Sequence, residues 1–171
     1  WFPVAPNEEI NLQIETVSKE NICGIFKKYD VPQEFDLLSI DIDSFDYWVT
    51  KEILTQYSPR VVMVEVNVRF EPEESWRLKD DPNWDWNGTK WYGASPMAYK
   101  KMLNAAGYTP VYVHVDDMIA IRNDVLEENG LSEPEWEKVY PHSNVSLYNT
   151  HNMGGTQPLV TELNLDEWEK V

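Results

Sequence analysis

The sequence predicts an α/β fold, in which helices alternate with the strands of a mostly parallel sheet. Residues 35–43 form a continuous apolar run that ends in acids, which is typical of a central parallel strand buried on both faces. Residues 60–68 are rich in β-branched side chains and give the same pattern. Residues 44–57, between the two runs, carry apolar side chains at helical spacing. The chain therefore predicts a strand-helix-strand unit with two neighbouring parallel strands.

A helix precedes this unit. Residues 11–17 predict a short strand or an extended lead, and Ser18 follows as a helix cap. The predicted helix runs to about Tyr29 and is closed by Pro32. Cys23 is the only cysteine and falls on the apolar stripe of this helix, which predicts a packed thiol and excludes a disulfide scaffold.

A long irregular segment and a further helix follow the second strand. Residues 69–93 are rich in Trp, Pro, Asp and Asn and are too long for an ordinary connection, so we expect a lid or a binding loop. Ser95 caps the next helix, with Pro96 at its first position, and Gly107 ends it.

The sheet is predicted to end in an antiparallel hairpin. Residues 108–115 and 118–122 predict two closely spaced strands joined by a turn at residues 116–117. From residue 123 onward, the sequence predicts one helix near residues 133–139 and an otherwise extended tail.

Charge limits the partners that this chain can bind. Thirty acidic and fourteen basic residues among 171 give a formal charge of -16, which repels nucleic acids and anionic membrane surfaces. No apolar run of about eighteen residues exists, so no membrane insertion is expected. Partners should be neutral, cationic or bridged by metal ions. The sequons at Asn87 and Asn144 matter only in a secreted protein, and the sequence leaves the compartment open.

Several segments resemble a known family. The fourth strand, following helix and fifth strand of FkbM-type class I methyltransferases are similar to residues 35–43 (FDLLSIDID), 46–48 (DYW) and 59–67 (PRVVMVEVN). Three later segments resemble a subgroup of that family: residues 86–89 (WNGT), 92–95 (YGAS) and 105–108 (AAGY). The resemblance covers about residues 17–124.

The resemblance implies S-adenosylmethionine-dependent methyl transfer, usually to an oxygen acceptor, on a Rossmann-like sheet. The cofactor is expected across the carboxyl ends of the parallel strands, near Asp41 and Ser44. The family's glycine-rich turn is not found, since no Gly-x-Gly pattern precedes Ser39. Ser44 also stands where relatives tend to have glycine, which crowds the turn.

The expected organisation is therefore that of a half-domain. Residues 1–17 are an N-terminal arm or edge strand, residues 18–124 are the C-terminal half of a Rossmann-like methyltransferase domain whose N-terminal part is missing, and residues 125–171 are a C-terminal helix and extended tail. Without that N-terminal part, the predicted strand at residues 35–43 lacks a neighbour on one side and exposes an apolar edge. Another chain or a missing N-terminal segment would complete the sheet, the arm would cover the edge, or the domain is degenerate and serves as a structural subunit.

Carboxylates follow both parallel strands. Asp41 and Asp43 are two residues apart and face the same side of a strand, Asp46 follows in the turn, and Glu65 and Asn67 repeat the spacing on the next strand. By analogy with metal-dependent O-methyltransferases of the catechol type, Asp41, Asp43, Glu65 and Asn67 would bind a divalent ion such as Mg²⁺. Alternatively, Asp43 or Glu65 is the general base.

A further alternative is purely structural. One acid caps the next helix, another pairs with Arg60 or Arg69, and the remaining acids are solvated.

The acceptor is expected to be a small molecule or a glycan. Asp46 and Asn67 at the strand ends and Trp86 and Trp91 in the long loop are the candidate contacts, because aromatic rings stack on sugars and planar groups. A carbohydrate-binding module that uses the Trp-rich loop is the alternative to an enzyme, and packing of the tryptophans onto the domain is the simpler one. His114 lies within a strand pattern and is expected to be a hydrogen-bonded sheet residue.

Overall fold

The computed structural model describes residues 6–81, 84, 92–141 and 163–171. A short 3₁₀ turn at Glu8–Ile10 precedes the regular elements. In chain order these elements are α1 (Ile22–Lys28), β1 (Leu37–Ile40), α2 (Asp46–Ile53), β2 (Val61–Glu65), β3 (Trp76–Leu78), α3 (Pro96–Ala105), β4 (Tyr108–His114), β5 (Asp117–Arg122), α4 (Asn123–Glu128), α5 (Trp136–Val139) and β6 (Trp168–Lys170).

The fold is mixed α/β, with a four-stranded sheet in the order β1-β2-β5-β4. Strands β1 and β2 are parallel, with Leu37 opposite Val61. Strand β5 lies antiparallel between β2 and β4, so β1, β2 and β4 run in one direction and β5 runs in the other. The predicted strand-helix-strand unit and terminal hairpin are present. The sheet is nevertheless mixed rather than mostly parallel, because β5 lies between β2 and β4 and pairs antiparallel with both.

One face of this sheet carries the hydrophobic core. The core side chains alternate along the strands and pack against α1, α2 and α3, whose buried residues belong to the same cluster. On the sheet they are Leu38, Ile40, Val62, Val64, Met118 and Ala120.

The opposite face, here called the open face, is only partly covered by the described residues. Its apolar residues lie in two rows across the sheet: Leu37, Val61, Met63, Tyr112, Ile119 and Ile121. Leu37 is 56% exposed and Tyr112 is 51% exposed.

Strand β1 is an edge strand, which corrects the prediction of a central strand buried on both faces. Its residues alternate between exposed and buried, and no described strand pairs with its second edge. The apolar run at residues 35–43 misled the prediction because Leu37 lies on the open face. Residues 6–16 of the predicted arm are exposed and form an isolated bridge between Asn7 and Leu12 rather than a covering strand.

A second, smaller sheet lies in segments that were predicted to be irregular. Strand β3, inside the long segment at residues 69–93, pairs antiparallel with β6 near the carboxyl terminus, with Leu78 opposite Trp168. These two residues share a separate apolar cluster with Phe70 and Leu163. Helix α4 was also not predicted. The described parts of the tail are therefore built into the fold, and Tyr140 is buried in the main core.

Local signals place α3 correctly. Ser95 caps α3 by accepting the N–H of Ala98 at 3.2 Å, and Pro96 is its first residue. Gly107 follows the helix with a φ of 86°, a left-handed conformation that glycine adopts without strain.

Two other local predictions need correction. Helix α1 begins at Ile22, because Ser18 opens a preceding turn in which the Asn21 side chain accepts the Ser18 N–H. The hairpin turn is Val115-Asp116, since Asp117 already pairs with His114. In the described part of the chain, the helices are too short or too polar to cross a membrane.

Candidate functional site: a carboxylate cluster at the strand ends

The loop between β1 and α2, residues 41–46, is organised by one buried acid. Asp46 is 1% exposed, and its carboxylate accepts the N–H of Ile42 at 2.8 Å and the N–H of Ser44 at 2.9 Å. The chain turns sharply between them, with Asp43 at a φ of 59°. Burial raises the pKa of Asp46, and the backbone N–H groups oppose that effect. Asp46, predicted as a substrate contact, thus holds the loop in shape.

We expect Asp46→Asn to lower the free energy of unfolding by about 1–2 kcal/mol, because the amide nitrogen cannot accept one of the two backbone N–H groups. Urea denaturation followed by circular dichroism measures the change. Asp36→Asn is the matched control, since the Asp36 side chain is 92% exposed and carries the same charge. Equal stability of the two variants would contradict a structural role for Asp46.

Three carboxylates meet at the carboxyl ends of β1 and β2. Asp41 and Asp43 of the loop and Glu65 of β2 each offer an oxygen, and these oxygens all lie within 4.8 Å of one another. The two aspartates are exposed, whereas Glu65 is 9% exposed. The parallel pairing of β1 with β2 brings the two strand ends to the same edge of the sheet. The predicted residues Asp41, Asp43 and Glu65 thus form one group, here called the carboxylate cluster.

The electrostatic environment of the cluster is strongly negative. Burial raises the pKa of Glu65 to about 8, and repulsion from Asp46, Asp41, Asp43 and Asp116 adds to the effect. Burial also raises the pKa of Asp41, with contributions from Asp43, Asp117 and Asp116. Glu65 therefore binds a proton at neutral pH, and it can donate or accept one near its pKa.

Two buried hydroxyl groups on the helices α2 and α3 have no hydrogen-bond partner among the described residues. Tyr99 of α3 is fully buried, and its hydroxyl has no hydrogen-bond partner among the described residues. Burial raises its pKa well above the usual value, and Asp46 and Glu65 repel its ionised form. Thr50 of α2 is also fully buried with an unpartnered hydroxyl. A buried hydroxyl without a hydrogen bond lowers the stability of the fold, so packing alone does not explain why these two polar side chains are buried.

Asn67, predicted as a metal ligand and substrate contact, anchors the neighbouring segment. It is fully buried, its amide donates to the Tyr92 carbonyl at 3.2 Å, and its side-chain oxygen accepts the Arg69 N–H at 3.3 Å. Its backbone N–H donates to the Ala94 carbonyl. These bonds tie the end of β2 to the start of α3, and they use both ends of the amide.

An apolar cleft of about 230 Å³ adjoins the loop. It is lined by Val17, Ser18, Lys19, Glu20, Ile42, Ser44, Phe45, Trp48 and Asp80. Lys19 forms an ion pair with Asp80, which is far from it in the sequence. The indole of Trp48 donates to the Leu78 carbonyl at 3.0 Å, and Arg77 lies over its ring. Ser44, predicted near the cofactor, is part of the wall of this cleft.

The other predicted residues have structural neighbours or lie outside the described residues. Trp84 packs edge-on against Phe45, with ring centroids 5.6 Å apart. Trp86, Trp91 and the sequons at Asn87 and Asn144 fall outside the described ranges, so their roles stay predictions. His114 is stacked on Tyr112 and pairs with Asp117 across the hairpin.

The ion pair that the structure gives for Arg60 does not involve the cluster. Arg60 lies 3.7 Å from Asp36, at the opposite end of β1 from the cluster. Arg69 lies over the ring of Tyr92.

Sequence reasoning missed Tyr99, Asp116 and Asp117 as neighbours of the cluster. The positions of the two aspartates could have been predicted, because the turn between β4 and β5 lies at the edge of the sheet where β2 ends. Tyr99 gave none, since a tyrosine on the apolar side of a helix is ordinarily a core residue.

Comparisons with known proteins return no relative for this chain. No protein-family model matches it, and neither curated proteins nor solved structures give a match.

Proposed function

We propose that this chain is the carboxy-terminal half of a Rossmann-like class I methyltransferase domain that transfers a methyl group from S-adenosylmethionine to an oxygen acceptor. The carboxylate cluster carries the proposal, because three acids from two strands meet at the carboxyl ends of parallel strands, where ligands bind in open α/β sheets. The terminal hairpin, with β5 inserted beside β2, supports the same fold class.

The residues present fit part of the cofactor. The cleft beside Ser44 is mostly apolar and offers Phe45 and Trp48 to a planar ring, while Asp41 supplies an exposed carboxylate for hydroxyl groups. A glycine-rich turn for the remaining contacts is not found before Ser39, so another chain or an N-terminal segment would supply it. The bound cofactor would supply an electrophilic methyl group.

The cluster would prepare the acceptor. Asp43 is exposed at the mouth of the cluster, so its carboxylate would accept the proton of the acceptor hydroxyl. Glu65, with a pKa of about 8, would remain protonated nearby and donate a hydrogen bond to the same oxygen. Different environments thus give two carboxyl groups two roles. Trp86 and Trp91 remain the predicted contacts to the acceptor's body.

Calorimetric titration with S-adenosylhomocysteine, with and without Mg²⁺, tests the cofactor part of this proposal. We expect weak binding, with a Kd in the range of about 0.1–1 mM, because only part of the pocket is present. Trp48→Ala should abolish the heat, whereas Trp136→Ala, outside the cleft, should leave it unchanged. A folded chain that releases no heat in either condition would rule out cofactor binding by this chain alone.

A structural or interaction subunit is the second candidate, and the open face favours it. The exposed side chains of Leu37 and Tyr112 lie on this face beside partly covered apolar side chains of β2 and β5, and no described strand pairs with the outer edge of β1. Such surfaces mark protein interfaces. Light scattering of the purified chain from micromolar to millimolar concentration tests this role. A monomer throughout, with no change when the salt is raised, would argue against self-assembly through this face.

A further inference from the structure

We propose that the ion pair between Lys19 and Asp80 is a latch that closes the cleft beside Ser44 over the ring of Trp48, so that a planar ligand binds there only when the pair opens. The inference rests on the proposed function in one respect, since that proposal makes this cleft the place where the cofactor's ring binds. The latch itself is a property of the ligand-free chain, and it is also tested without a ligand.

The latch joins two of the segments that line the cleft. Residues 17–20 before α1, residues 42–48 of the β1–α2 loop and α2, and Asp80 after β3 contribute to the lining. The hydrogen-bonded ion pair of Lys19 with Asp80 connects the first segment to the third. The two side chains are 32% and 34% exposed, so solvent reaches the pair. Glu20 lies 3.8 Å from the Lys19 ammonium and is 60% exposed, which makes it the weaker partner.

The Lys19 ammonium also covers the ring on which a ligand would stack. Its Nζ lies 5.7 Å from the centroid of the Trp48 ring, which is within the range of a cation–π interaction. Lys51 and Arg77 lie near the same ring, at 5.3 Å and 4.4 Å, but neither of them lines the cleft. A planar ligand that approaches Trp48 from the cleft therefore has to displace Lys19.

The segment that carries Asp80 contacts both aromatic side chains of the cleft. Trp84, four residues after Asp80, packs edge-on against Phe45, with ring centroids 5.6 Å apart. The Leu78 carbonyl accepts the indole N–H of Trp48 at 3.0 Å. The ion pair thus fastens residues 17–20 to a segment that already lies against the rings of the cleft.

The latch is the part of this arrangement that opens most easily. An exposed ion pair changes an equilibrium by a factor of about 1.5–5, and the long lysine stem moves without a change in the backbone. Arg77, in contrast, is 17% exposed and donates to Glu169 at 2.8 Å and to the Tyr47 hydroxyl at 3.0 Å. We therefore expect the closed latch to weaken ligand binding several-fold, and we expect salt to relieve this effect.

The ligand-free test is fluorine NMR of the full chain labelled with fluorotryptophan, in which Trp48→Phe assigns the Trp48 signal. The neutral nitroxide TEMPOL broadens the signals of rings that solvent reaches. We expect Asp80→Ala to increase the broadening of the Trp48 signal about twofold or more, because the released lysine leaves the ring for part of the time. Asp36→Ala is the matched control, since it removes the same charge from a side chain that is 92% exposed and does not line the cleft.

The ligand test is calorimetric titration with S-adenosylhomocysteine at about 0.02 M and about 0.5 M KCl. At low salt, Asp80→Ala and Lys19→Ala should each bind about 2–5-fold more tightly than the native chain, and high salt should reduce this difference. Lys19→Ala/Asp80→Ala should match Lys19→Ala, because a latch that is already open cannot be opened again. Asp36→Ala should bind as the native chain does.

The two tests separate the latch from the proposed function. If neither the native chain nor any variant binds S-adenosylhomocysteine, cofactor binding by this chain fails, and the NMR result alone decides the latch. Equal broadening of the Trp48 signal in the native chain and in Asp80→Ala would show that Lys19 does not cover the ring, and it would overturn the proposal. Binding of S-adenosylhomocysteine with equal affinity to the native chain and to Asp80→Ala at low salt would overturn it as well.

Discussion

Glu65→Gln is expected to stabilise the protein above pH 8 in the presence of a chelator. The pKa of Glu65 is about 8 in the folded chain, against 4.5 for an ordinary glutamate. Between these values, the folded state keeps a proton that the unfolded state has lost, so the free energy of unfolding falls as pH rises through this window. Glutamine carries no charge at any pH and removes that decline.

We expect a gain of about 2 kcal/mol at pH 9 and almost none at pH 4.5. This is less than the full pKa difference would give, because water reaches Asp41 and Asp43 beside it. Guanidinium denaturation at several pH values measures the profile, with Glu127→Gln on exposed α4 as the control. Parallel pH profiles for native protein and Glu65→Gln would show that Glu65 ionises normally.

Trp168→Ala is expected to open the small sheet while leaving the main sheet closed. Trp168 is 2% exposed, packs on Phe70 with ring centroids 5.5 Å apart, and pairs with Leu78. Its removal should cost about 3–5 kcal/mol of packing. That cluster is separate from the core beneath β1 and β2.

Hydrogen exchange measures this effect locally. Amides of β3 and β6 should lose protection in Trp168→Ala, whereas those of β2 and β5 should keep it. Trp168→Phe is the control, since it retains a ring in the cluster and should cost far less. Equal loss of protection in both sheets would show that the two clusters unfold as one unit.

The elements that sequence predicted well have strong local signals. The valines of β2, the Ser95-Pro96 helix start and Gly107 each constrain the backbone without help from distant segments. The pairing of β3 with β6 could not be predicted in this way. It joins two three-residue strands about ninety positions apart, and only packing around Trp168 selects it.

The candidate site was predictable in part for a related reason. The side-by-side arrangement of Asp41, Asp43 and Glu65 follows from a rule about parallel strands, and the structure brings these three residues together. Burial is what the sequence does not reveal. Asp46 and Asn67 are both buried. The oxygens of Asp46 accept backbone N–H groups of the loop, and the amide of Asn67 binds the next segment, so neither side chain is available to a ligand.

The open face has a consequence for colloidal behaviour. Its exposed leucine, tyrosine and partly covered isoleucines and valine attract like surfaces, and the formal charge of -16 is what keeps neighbouring molecules apart. That repulsion disappears near the isoelectric point of about 4.4 and shrinks in concentrated salt. Mild acid or salt would therefore bring these molecules together through folded surfaces, without first unfolding them.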